Sequence, residues 1–104
     1  MRRGEVWWAD LPSPVGSRPV VIATRDQVLS SISSVVVILV TRTVRQLPTE
    51  VPLGPRQGLP GPCVANCDNL LTVPRNRLVR LLGACDREKL SEIDSALKVS
   101  LGLR

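Results

Sequence analysis

Val35-Val36-Val37-Ile38-Leu39-Val40-Thr41 is the most apolar stretch of the chain. It is far shorter than the roughly 18 residues of a membrane span. β-Branched side chains dominate it, and both alternate faces are apolar, so it reads as a strand buried on both sides in the middle of a sheet. Upstream, Arg18-Pro19-Val20-Val21-Ile22-Ala23-Thr24 reads as a second strand, with Pro19 near its start where no ladder donor is needed. Gly4 to Leu11 alternates in part and reads as a third strand, joined to the second by the turn-forming Pro12-Ser13-Pro14-Val15-Gly16-Ser17. Arg25 to Ser34 is polar and has room for one helical turn or a loop.

Downstream, Arg42 to Leu47 is a basic connection, and Pro48 to Leu53 is a short strand that Pro52 confines to a sheet edge. Gly54 to Pro62 packs three Gly and three Pro into nine residues and is expected to be a loop. Cys63 to Asn66 is a short strand, and Leu70 to Val73 extends the sheet. Pro74 suits the first position of a short helix reaching Leu78, and Val79 to Gly83 is the last strand. The C-terminal stretch is the clear helix. Asp86 is its N-cap, Glu88 complements the first-turn dipole, and Gly102 sits at the C′ position. Leu90, Ile93, Leu97 and Leu101 step by three and four and form one apolar face. The order of elements describes one domain over residues 1–104, mainly β with helices: a small, mainly antiparallel barrel or twisted antiparallel sheet plus a C-terminal helix.

Composition excludes much chemistry. The chain of 104 residues has no His, which removes Ser-His-Asp and Cys-His nucleophiles, His-ligated zinc and ribonuclease-type His pairs. Three cysteines, Cys63, Cys67 and Cys85, are an odd number without a fourth ligand, and free thiols rather than a metal site or a disulfide framework are expected. No cofactor is expected. Met1 to Glu5 is charged and no apolar targeting region follows, so a cytoplasmic location is expected and no membrane association. The net charge is +5, and 12 of the 14 basic residues are Arg. Between Arg42 and Arg80 six Arg face only Glu50 and Asp68, a local surplus of +4. Such a surplus points to an anionic partner.

With carboxylate pairs and phosphate-binding glycine loops missing, Arg, Thr, Ser and Asn at strand ends remain. Arg offers a planar fork of donors that matches phosphate oxygens. Arg42, Arg45 and Arg56 are candidates for a phosphate track, and Asn69 for reading a base edge or satisfying a turn. Trp7 and Trp8 point to opposite faces of one strand, so at most one joins the core and the other suits an interface.

Five segments, in order, resemble the motifs of one known family. Arg3-Gly4-Glu5-Val6-Trp7-Trp8-Ala9-Asp10-Leu11 is similar to the family's opening strand. Gly16-Ser17 and Arg18-Pro19-Val20-Val21-Ile22 follow its second motif, and Val40-Thr41 with Leu47-Pro48-Thr49-Glu50-Val51 its third. Asn66-Cys67-Asp68-Asn69 with Thr72, and the closing Leu97 to Leu103, complete the set, and together the five segments resemble the MazF/PemK-like ribonuclease toxins. The resemblance implies an SH3-like barrel-type sheet with helices, assembled as a homodimer that cuts single-stranded RNA at short sequences without metal. The 2′-hydroxyl attacks the adjacent phosphorus and leaves a 2′,3′-cyclic phosphate and a 5′-hydroxyl. It implies neutralisation by a cognate antitoxin with an acidic C-terminal segment. By the same resemblance the catalytic Arg falls on Arg18 and the catalytic Thr on Thr41. One departure stands out: Gly16-Ser17 runs straight into Arg18, where many members carry a longer loop. Two other readings stay open at this point: a toxin of the same fold that poisons DNA gyrase without an active site, and a non-catalytic nucleic-acid-binding barrel.

Overall fold

The computed structural model describes residues 1–104. Six strands form one antiparallel sheet: β1 (Glu5–Ala9), β2 (Arg18–Ile22), β3 (Ser34–Thr41), β4 (Glu50–Leu53), β5 (Cys63–Pro74) and β6 (Leu78–Ala84), in the spatial order β4-β5-β3-β2-β1-β6. A single helical turn, α1 (Asp26–Leu29), joins β2 to β3, and the long helix α2 (Arg87–Leu101) closes the chain. No helix is long and apolar enough to cross a membrane.

The sheet is apolar on both sides, as the reading of β3 requires. Ile38 and Val40 point to one face, where they meet Val6, Val21, Val51, Ala65, Cys67 and the α2 residues Ile93 and Ala96. Val35, Val37 and Leu39 point to the other, with Val20, Ile22, Leu29, Val73 and Leu78. Ile93 is 1% exposed, and burying a side chain of that size contributes about 1.5–3 kcal/mol. Asp86 caps α2 by accepting the Lys89 N–H at 2.8 Å, and Gly102 ends it in the left-handed region. Arg3 ties the helix down: its Nη2 meets Asp94 at 2.7 Å while its Nε donates to the Ala23 carbonyl.

The sheet also curls on itself. The expected loop after β4 contains a 3₁₀ turn, Pro55–Gln57, whose end abuts β6. A Cβ on Gly58 would lie 1.9 Å from the Leu82 carbonyl oxygen, and one on Gly83 2.3 Å from that of Gln57. Only glycine permits this backbone-on-backbone seam, which draws the β4 and β6 ends of the sheet together. Gln57 is buried there, and its side-chain oxygen accepts the Gly54 N–H at 2.8 Å.

Three local expectations are corrected. The two short strands at Cys63–Asn66 and Leu70–Val73 are one strand with a bulge. Leu39 faces Asn66 but Ile38 faces Leu70, so Cys67, Asp68 and Asn69 stand outside the β3 ladder. The bulge reverses the alternation, which places Ala65 and Cys67 on the helix side and Val73 on the other. At Pro74–Leu78 only the 3₁₀ turn Arg75–Arg77 forms, because Pro74 ends β5 and Leu78 already begins β6. On α2 the buried stripe centres on Ile93 and Ala96, and Leu101 is 55% exposed because the helix end runs past the sheet.

Candidate active site

The β2–β3 ladder runs from Ile22–Val37 to Val20–Leu39 and stops there. Two residues further on, the same register sets Arg18 opposite Thr41, on one side of the sheet. Each is held to its other neighbour instead: Arg18 pairs with Ala9 on β1, and Thr41 with Val64 on β5. The sheet is therefore unzipped at this point, and the two lips of the opening carry a guanidinium and a hydroxyl.

Arg18 is oriented by its own turn. Its Nη2 donates to the Val15 carbonyl at 2.9 Å, and Ser17 Oγ donates to Asp10 at 3.1 Å across the base of the same turn. The short Pro12–Ser17 segment thus holds the side chain through its backbone. No carboxylate pairs with Arg18, since the ion pairs of the chain are Arg3–Asp94 and Lys89–Glu92. Its Nε–H is closed to solvent and has no acceptor. A half-buried cation with an unmet donor favours an anion in the opening. Thr41 Oγ1 accepts the Thr43 N–H at 3.1 Å. That bond fixes the oxygen and leaves the hydroxyl proton to donate outward.

The expected RNA-contacting residues do not all join this opening. Arg42 follows Thr41 directly, is exposed, and lies near enough to Cys63 for its charge to oppose the upward push of burial on that thiol. Arg45 is exposed on the Arg42–Leu47 loop. Arg56 lies in a separate cleft beside Asp86, Glu88, Lys89 and Glu92, next to the start of α2. Asn69 is exposed on the β5 bulge, outside the ladder. Asn66, rather than Asn69, faces the sheet interior, opposite Leu39 and Glu50. Sequence reading passed over Thr49 and Glu50, which anchor the loop and the bulge; their role depends on partners up to 19 residues away and leaves no local pattern. Trp7 packs against the core on the Arg18 side and donates its indole N–H to Glu5 at 3.0 Å, while Trp8 is half-buried opposite Pro19 and Arg80.

Burial raises all three thiols. Cys67 is pushed up to about 11, with Asp68 adding to the effect, and Cys85 also to about 11. They are protonated, poorly nucleophilic groups of the packed interior.

Comparison with known proteins agrees with this architecture. Residues 2–101 match the family model of the PemK-like, MazF-like toxin of type II toxin-antitoxin systems. The chain is 41% identical over 103 residues to the probable endoribonuclease MazF2 of Mycobacterium tuberculosis, covering 98% of this chain and 99% of that protein. Among solved structures it is similar to the Mycobacterium tuberculosis toxin MazF-mt6, with a TM-score of 0.89 and 34% identity, over 96% of this chain and 98% of that one. It is also similar to an endoribonuclease in complex with its cognate antitoxin from a mycobacterial species, with a TM-score of 0.88 and 32% identity, over 100% and 97% of the two chains. The chain belongs to the PemK-like, MazF-like family of toxins of type II toxin-antitoxin systems.

Proposed function

We propose that the chain is a sequence-specific, metal-independent endoribonuclease toxin that acts on single-stranded RNA in the cytoplasm. The observation that carries this reading is the unzipped end of β2 and β3, where Arg18, which has no carboxylate partner, and the hydroxyl of Thr41 lie on opposite lips of the opening. A phosphodiester in the opening would meet both. As the 2′-hydroxyl gives its proton to solvent water and its oxygen bonds to phosphorus, the P–O5′ bond breaks and the leaving 5′-oxygen takes a proton from solvent; meanwhile the non-bridging oxygens gain negative charge. Arg18 stabilises that charge, and Thr41 donates a hydrogen bond to it; a preorganised donor of this kind is worth about 3–4 kcal/mol. Arg18 keeps its proton throughout, because a guanidinium pKa lies above about 12. Its part is electrostatic. The products are a 2′,3′-cyclic phosphate and a 5′-hydroxyl.

The exposed Arg42 and Arg45 and the amide of Asn69 would hold the flanking nucleotides, with Arg42 adjoining the opening; Arg56, in its separate cleft beside the start of α2, would serve only a more distant phosphate. The toxin acts as a homodimer. The single chain exposes 6,348 Å², about a tenth more than the roughly 5,700 Å² expected of a monomer of its mass, and Val79 and Leu81 are more than half exposed on the edge strand β6. A cognate antitoxin with an acidic C-terminal segment would neutralise it, since carboxylates compete with phosphates for the same cations. The test is incubation of purified protein with a mixed single-stranded RNA in excess EDTA. Discrete fragments are expected. Intact RNA, as from a gyrase poison or a non-catalytic barrel, or a strict need for Mg²⁺, would overturn the proposal.

A further inference from the structure

Glu50, the first residue of β4, grips the basic loop that precedes it. Its Oε1 accepts the Arg45 N–H at 2.9 Å and the Leu47 N–H at 3.4 Å, while its own N–H donates to the Leu47 carbonyl at 3.0 Å. Between the two captured amides, Gln46 has φ 56°, a left-handed conformation unusual for a residue with a side chain. The loop is otherwise exposed from Arg42 to Pro48, so this carboxylate is its internal anchor. Thr49, next in line and buried, grips the second element. Its hydroxyl donates to Asp68 at 2.6 Å, and its carbonyl accepts the Cys67 N–H at 2.8 Å. The bulge is held from behind by Ser100 of α2, whose hydroxyl donates to the Cys67 carbonyl at 2.8 Å.

Two adjacent residues thus fix two surface elements: the loop bearing Arg42 and Arg45, which follows Thr41, and the bulge bearing Asn69, which interrupts the neighbouring strand beside Leu39. A flexible loop of long arginines would bind phosphates without choosing among sequences, whereas a loop held in one conformation presents its donors at fixed spacing. We infer that Thr49 and Glu50 are positioning residues that set substrate affinity and cleavage-site preference, by holding the Arg42–Leu47 loop and the Cys67–Asn69 bulge in register with the Arg18–Thr41 opening. Glu50 acts through Oε1 as a hydrogen-bond acceptor, while its buried Oε2 makes no hydrogen bond. This inference rests on the endoribonuclease reading.

The test compares wild type, Glu50→Ala, Glu50→Gln and the near-isosteric Thr49→Val on a pool of randomised single-stranded RNA, with KM and kcat then measured on the preferred sequence. Glu50→Ala is expected to raise KM about tenfold, leave kcat within about threefold, and broaden the cut-site preference at one flanking position. Its Arg45 and Leu47 amides should exchange hydrogen faster, a readout independent of activity. Glu50→Gln retains an acceptor oxygen and should restore KM, preference and exchange. Thr49→Val should broaden a different position and, if Glu50→Ala does not fold, carries the test with Glu50→Gln. Unchanged KM and preference in both Glu50→Ala and Thr49→Val would overturn the inference, as would Glu50→Gln behaving like Glu50→Ala. Failure of wild type to cut RNA would instead overturn the proposed function, and the amide exchange would still report whether Glu50 holds the loop.

Discussion

Replacing Arg18 with Ala should separate activity from stability. The guanidinium makes one hydrogen bond to the protein, from Nη2 to the Val15 carbonyl, and buries an Nε–H with no acceptor. Losing a charge-assisted bond of that kind costs about 1.5–3 kcal/mol, and removing an orphaned buried donor returns about 1–3 kcal/mol. The two nearly cancel, so the net change should stay within about 1 kcal/mol, or less than about 8 °C in Tm for a domain of this size. Cleavage responds quite differently, because Arg18 supplies the charge on the β2 lip of the opening. Loss of one preorganised donor lowers kcat by about 10²–10³-fold. Arg18→Lys keeps the charge but not the planar fork and should fall between the two. The assay is cleavage of a fluorogenic RNA oligonucleotide at saturating concentration, beside a thermal melt followed by circular dichroism. Cleavage by Arg18→Ala within threefold of wild type would refute the role given to this side chain. So would a loss of activity that merely follows a loss of folded protein.

Binding should weaken with salt: three or four phosphates contacted by the Arg42–Arg80 surplus give a log–log slope of about −2 to −3 on single strands, and Arg45→Ala should flatten it, as read by fluorescence anisotropy. Gly83→Ala would press a methyl group to 2.3 Å from the Gln57 carbonyl oxygen; a backbone shift of that kind costs about 2–3 kcal/mol, so Tm should fall by about 10–20 °C, whereas Gly61→Ala, with nothing within 4 Å, should melt like wild type. Alkaline pH should destabilise the fold through its thiols. The ordinary thiol pKa is 9.0 and burial pushes Cys67 and Cys85 up to about 11. The unfolded chain therefore releases these protons first, and stability present below pH 9.0 is lost as pH rises towards 11, by roughly 3 kcal/mol per thiol. In urea melts at several pH values, the stability gap between wild type and Cys67→Ala should narrow over that interval, and a constant gap would contradict the buried-thiol origin.

The parts of this fold that show in the sequence are those set by local chemistry. The uniformly β-branched β3 leaves no alternative to a two-sided buried strand, and Asp86 and Gly102 mark the ends of α2 by capping alone. Pro52 rightly confines β4 to an edge, where it has β5 on one side only. The bulge at Cys67–Asn69 was hidden because Asp68 and Asn69 are poor strand formers, and extra residues inside one strand look like a turn between two. The seam between Gly58 and Gly83 joins residues 25 positions apart and left only a glycine-rich loop to see. For the candidate site, Arg18 and Thr41 were named by resemblance, but their shared side of the sheet follows from the β2–β3 register, which only tertiary pairing sets. In the sequence Glu50 is one of two acids in a basic span and part of a family-like motif, with no role attached. Its function as an anchor depends on backbone amides, which carry no sequence signature.

The most direct measurement uses one RNA oligonucleotide carrying two copies of the preferred cleavage sequence, with a single 2′-deoxy nucleotide on the 5′ side of one scissile phosphate, incubated with the protein in EDTA. Attack by the 2′-hydroxyl requires that oxygen. Cleavage should proceed at the unmodified copy, leaving a 2′,3′-cyclic phosphate and a 5′-hydroxyl by mass spectrometry, and should be abolished at the deoxy copy. Cutting at both copies, or fragments ending in a 5′-phosphate, would show that water attacks the phosphorus and would contradict the chemistry assigned to the opening between Arg18 and Thr41.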